Sequence, residues 1–126
     1  MSDSSGFSKI EEFVLYIPTV SEANSNEHWT KKSKRHALQK QYVKLSANRI
    51  PKDLPIHIKL TRIGKRFLDA HDNLPCSLKY IFDEICAQIT GNNVAGRADD
   101  DDRITIEYDQ EKGSLQGVKF EFFKKE

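Results

Sequence analysis

The residues most able to do chemistry lie between Leu68 and Asp102. Asp69 and Asp72 stand at one end of an amphipathic stretch, Lys79 and Asp83 lie within it, and four successive aspartates, Asp99 to Asp102, close it. Carboxylates gathered from separate segments hold hard cations such as Mg²⁺, which takes oxygen ligands in octahedral geometry and keeps several waters. A cation held in this way polarises a phosphate and lowers the pKa of a bound water, and a nearby lysine can stabilise the charge that develops. The chemistry these residue types suggest is metal-assisted hydrolysis of a phosphodiester.

Taken singly, each feature has an ordinary explanation. Asp72 is well placed to cap a helix. Lys79 with Asp83 is an i,i+4 pair worth a few tenths of a kcal/mol, and a run of aspartates is commonly a solvated loop. Taken together they fit that explanation less well. At about 100° per residue, Asp72, Lys79 and Asp83 fall within roughly 40° of one another, away from the apolar stripe. Four adjacent carboxylates also repel one another unless a cation intervenes.

The charge distribution points the same way. The net charge of +1 conceals a basic middle: residues 28–68 carry twelve Lys or Arg against Asp53 alone, while residues 69–126 carry thirteen acids against seven basic residues. Such a partition suits a polyanionic partner beside a metal site. Lys31, Lys32, Lys34, Arg35 and Lys40, with Lys65 and Arg66 nearer the acids, are the candidate DNA contacts, each neutralising a phosphate without reading sequence. Trp29 is expected in the core rather than stacked on a base.

The elements that position these residues are read from periodicity. Phe13 to Ile17 reads as a buried strand ended by Pro18, and residues 1–10 as a disordered lead to a single domain over 11–126. Trp29 to Ala47 reads as a helix with a thin apolar stripe of Trp29, Ala37, Leu38, Tyr42, Val43 and Leu45. Ile56, Ile58 and Leu60 alternate as a strand with one wet face. Leu74, Leu78, Ile81, Phe82, Ile85 and Ile89 mark a helix to about Thr90, with Pro75 in its first turn and Gly91 at its C-cap. Ile104, Ile106 and Tyr108 form one strand and Val118, Phe120 and Phe122 another, and the intervening EKGSLQG suggests a hairpin. The order β-α-β-α-β-β describes a small α+β domain with a mixed sheet and two helices.

Composition excludes other classes. No apolar run approaches the roughly 20 residues of a membrane span, and the opening MSDSSGFSKIEE lacks the form of a signal peptide. Cys76 and Cys86 lie too far apart on one helix for a disulfide and lack neighbours for zinc, so reduced thiols and a cytoplasmic location are expected. No Gly-rich phosphate loop or Ser-His-Asp constellation is present. A nuclease element of the acid-x-Lys kind would need to lie on a strand; its nearest counterpart, Gln110-Glu111-Lys112, begins with glutamine and is expected at a turn.

LDAHDNLPCSLKYIFDEI, the aspartate run and RITIEYDQEKG together resemble the RusA-type Holliday-junction resolvases, in a divergent phage-like form. The matching elements are Asp72-Asn73-Leu74, Lys79-x-x-x-Asp83, and aspartates just before Ile104. The resemblance implies a RusA-like fold and a homodimeric endonuclease that cuts four-way DNA junctions in recombination or repair. It implies Mg²⁺, with Mn²⁺ able to substitute, held by Asp69, Asp72 and Asp99 or Asp101. Asp69, Asp72, Lys79 and Asp101 are the implied catalytic residues. The chain departs from the compact signature in two places: two residues separate Asp69 from Asp72, and Cys76 stands where that form has its lysine. The competing expectation, from another class, is a DNA-binding module without an active site.

Overall fold

A computed structural model describes residues 7–19, 29–68, 73–91 and 103–125. The elements, in order, are strand β1 (Phe7–Leu15), helix α1 (Trp29–Leu45), a 3₁₀ turn (Ala47–Arg49), strand β2 (Ile56–Gly64), helix α2 (Asn73–Thr90), strand β3 (Ile104–Lys112) and strand β4 (Gly117–Lys125). They form a small α+β domain with one four-stranded mixed sheet and two helices.

The sheet order is β1-β4-β2-β3. β4 runs antiparallel to both β1 and β2, and β2 and β3 are parallel. Parallel neighbours need a long crossover, and α2 lies in the one that joins β2 to β3. One sheet face carries Phe13, Ile56, Ile58, Leu60, Ile104, Val118, Phe120 and Phe122, all buried in one core with the inner stripe of α2. The six residues that gave α2 its 3-and-4 spacing are all buried. The opposite face is polar and partly buried, laced with ion pairs such as Lys9–Glu121 and Lys59–Asp109.

Four expectations are corrected. β1 starts at Phe7, so residues 7–10 belong to the sheet rather than to a disordered lead, and the strand ends at Leu15 rather than Ile17. The polar FSKIEE segment conceals this because β1 is an edge strand, whose outward charges pair across β4 and along the strand, as Lys9 does with Glu121 and Glu12. A bulge between Lys9 and Glu11 further breaks its alternation.

The expected β3–β4 hairpin does not form, because β2 lies between the two strands. Residues 113–116 instead arch over the end of β2, where the Gly113 N–H donates to the Gly64 carbonyl at 3.0 Å. Two strand spacings, about 10 Å, are within reach of a short extended link.

On α1, only Val43 of the predicted stripe is buried, and Trp29 and Leu45 are 69% and 74% exposed. The other buried residue is Gln39, whose Nε2 donates to the Pro18 carbonyl at 2.8 Å. Finally, Gln110, Glu111 and Lys112 lie in β3 and not at a turn.

Candidate functional site

The proposed acidic ligands Asp69, Asp72, Asp99 and Asp101 all lie outside the described residues. Asp72 directly precedes Asn73, the first residue of α2, while Leu68 precedes Asp69 and Arg103 follows the aspartate run; Leu68 and Arg103 are each held by hydrogen bonds. The Leu68 N–H donates to Gln110 Oε1 and Gln110 Nε2 donates to the Leu68 carbonyl, both at 2.8 Å. A side-chain amide that satisfies both backbone groups of one residue acts as a two-point clamp. At the other end, the Ile56 N–H donates to the Arg103 carbonyl at 2.9 Å, tying the approach to β3 against the start of β2.

These two anchors lie at opposite ends of β3. From Gln110 to Ile104 is six residues, about 20 Å of strand at ~3.3 Å per residue. Asp69 is one residue beyond its anchor and Asp101 is two residues before Arg103, so extended chain closes at most about 11 Å of that gap. Asp99, four residues out, reaches further.

Lys79 sits on the exposed side of α2, its Nζ 3.4 Å from Asp83 Oδ2, the i,i+4 pair that its spacing anticipates. Six residues into the helix, it stands about 9 Å along the axis from Asn73. Its Nζ also lies 5.8 Å from the centre of the Tyr80 ring. Lys40 of α1 approaches the same ring at 6.0 Å, and His36 stacks on it at 3.7 Å. The fold therefore gathers Lys40 and Lys79 at one helix–helix junction, two cations that are remote in sequence. Lys31 and Lys34 are exposed on α1, whereas Lys32 and Arg35 are half-buried. The basic residues surround α1 instead of forming a single stripe, since only a narrow side, including Gln39 and Val43, packs inward.

Lys65 and Arg66, exposed just past β2, line a cavity of about 330 Å³ together with Arg62, Gly64, Ser114 and Gln116. The topology builds it: the chain leaving β2 and the 113–116 link arching over β2 form facing walls. Arg62 was not anticipated from the sequence. It is only 7% exposed, and burial lowers its pKa from the usual arginine value, leaving it a cation at neutral pH. Its Nε donates to Thr19 Oγ1 and its Nη1 to the Arg66 carbonyl, both at 2.9 Å. Arg62 and Gln110 are register partners across β2 and β3. The Arg62–Arg66 bond and the Gln110–Leu68 clamp therefore hold the 65–68 segment side by side. The signal was present in the alternation: Ile56, Ile58 and Leu60 point inward, and Arg62 occupies the next inward position.

Among the described residues, no group of three or more His, Cys, Asp or Glu side chains could hold a metal ion. Cys76 and Cys86 are both free thiols. No described helix is long and apolar enough to cross a membrane. The chain matches no family model, no curated protein and no solved structure in the comparisons made.

Proposed function

We propose that the chain is a divalent-metal-dependent endonuclease acting on branched DNA, with the four-way junction as its substrate and Mg²⁺ or Mn²⁺ as its cofactor. The observation that carries this reading is the two-point clamp on Leu68. It fixes Leu68, the residue that precedes Asp69 in the chain, on the same short segment as Lys65 and Arg66 and across from Arg62, which is what a metal-binding acid segment following directly on phosphate-binding cations would need. Metal bound by Asp69 and Asp72, with Asp99 or Asp101, would supply a polarised phosphate and an ionised water. The protein's own groups bind and orient the DNA: Lys65 and Arg66 near the cut, and Lys40 and Lys79 along the helix junction, with Lys31, Lys32, Lys34 and Arg35 beyond them. Lys79, itself exposed, reaches a developing charge by leaving the half-buried Asp83, whose Oδ2 lies 3.4 Å away.

The separation of the two anchors supports a homodimer. Leu68 and Arg103 are held at opposite ends of β3, so two chains in opposed orientation would set the Leu68 end of one beside the Arg103 end of the other. Two such sites would also suit paired nicks in a two-fold junction.

A cleavage assay on a synthetic four-way junction tests the reading. The wild type should make metal-dependent nicks, and Asp72→Asn should bind the junction but not cut it. A wild type that binds and never cuts with either metal would leave a DNA-binding module whose acids cap and solvate.

A further inference from the structure

The geometry points to a pocket for a single phosphate group of the DNA backbone, centred on Arg62 with Lys65 and Arg66 at its rim. The assignment of that phosphate to DNA rests on the endonuclease reading; the pocket itself does not.

A guanidinium carries five N–H donors in a planar fork. Two of Arg62's are used, by Thr19 Oγ1 and the Arg66 carbonyl, and no carboxylate among the described residues pairs with it. A cation more than nine-tenths buried, whose other three N–H groups have no partner among the described residues, is suited to an anionic acceptor. The fork matches two oxygens of a phosphate.

The surroundings are shaped for this head group. A Cβ on Gly64 would stand 3.0 Å from Arg62 Nη1 and 3.2 Å from Cζ, so glycine here leaves the guanidinium its space. Thr19 is buried and doubly engaged, since its hydroxyl accepts from Arg62 Nε and its carbonyl accepts from Gln116 Nε2. These bonds hold two lining residues, Arg62 and Gln116, to one buried anchor. Ser114 on the arching link can donate its hydroxyl, and Lys65 and Arg66 add exposed positive charge at the mouth. A structural arginine alone would not need an open cavity of about 330 Å³ lined with two further cations.

Two metal-free measurements on the full chain test the pocket. The first titrates inorganic phosphate against ¹⁵N-labelled protein, with chloride at equal ionic strength as control. Saturable shifts should appear at Arg62 Nε and at the amides of Gly64, Ser114 and Gln116. Their absence overturns the pocket. The second measures binding to a four-way junction in EDTA against salt. Arg62→Gln should lower the slope of log K against log salt by about 0.9, the contribution of one phosphate. Ser114→Glu, which adds a negative charge at an exposed position without disturbing the buried arginine, should do the same if Arg62→Gln does not fold. Phosphate shifts with an unchanged DNA slope in both variants would overturn the DNA assignment. Because neither readout involves metal or cutting, a wild type that never cleaves sinks the endonuclease reading and leaves the phosphate pocket standing.

Discussion

Replacing Gln110 by alanine removes both bonds of the Leu68 clamp and almost nothing else. The two bonds are 2.8 Å each and partly buried, and Gln110 makes no ion pair. Each net contribution is about 0.5–1.5 kcal/mol, so the variant should lose roughly 1–3 kcal/mol. Against a total of about 5–15 kcal/mol for a small domain, it stays folded at 25 °C. The midpoint of thermal unfolding should fall by roughly 4–10 °C. On the proposed function, cleavage should suffer more than stability, because the clamp fixes Leu68, the residue before the proposed ligand Asp69, and small misplacements of metal ligands cost disproportionately. Junction cleavage in Mn²⁺ at 25 °C, where the variant is folded, is the assay. An unchanged melting temperature would refute the clamp's energetics. A lowered melting temperature with unchanged cleavage would refute its role in positioning the acids.

Two further predictions concern the framework. Gln39→Leu keeps the side-chain volume but strands the Pro18 carbonyl that Gln39 satisfies at 2.8 Å, and should cost about 1–3 kcal/mol; urea denaturation with an unchanged m-value checks it, and equal or greater stability would contradict it. Glu11 is held below the usual glutamate range, first by the Glu12 backbone N–H and then by Arg49, whose Nη2 is 3.3 Å away. A depressed carboxyl pKa means the unfolded chain takes up the proton first, so this contribution is complete above the unfolded value and is lost as pH falls through the folded one. NMR titration of Glu11 should show Arg49→Gln recovering only part of the shift; full recovery would give Arg49 the leading role.

The most legible element was α2, because a helix buried on one side writes its packing into a 3-and-4 repeat, and its C-cap Gly91 takes the positive φ of 73° that its position anticipates. β2 was legible for the same reason at period two. The order of the strands was not, since short separation suggests pairing between β3 and β4 and nothing local reveals that β2 lies between them. The thin stripe on α1 misled because one buried glutamine, its Nε2 donating to a distant carbonyl, occupies a position that apolar residues were expected to fill. Arg62 was legible in principle as a cation at an inward position of an apolar strand. Its meaning needed the arching 113–116 link, which only tertiary structure supplies. For Asp69, Asp72, Asp99 and Asp101, residue type and spacing carry the argument, and the fold contributes the positions of their neighbours.

The central claim is that acids from both sides of α2 grip one cation. A crystal grown with Mn²⁺ and measured for anomalous scattering tests it most directly. An anomalous peak should lie about 2.2 Å from a carboxylate oxygen of Asp72 and from one of Asp99 or Asp101, contributed by the partner chain. Finding the aspartate run in bulk solvent, remote from residues 69–72 of its own chain and of every neighbouring copy, would contradict it.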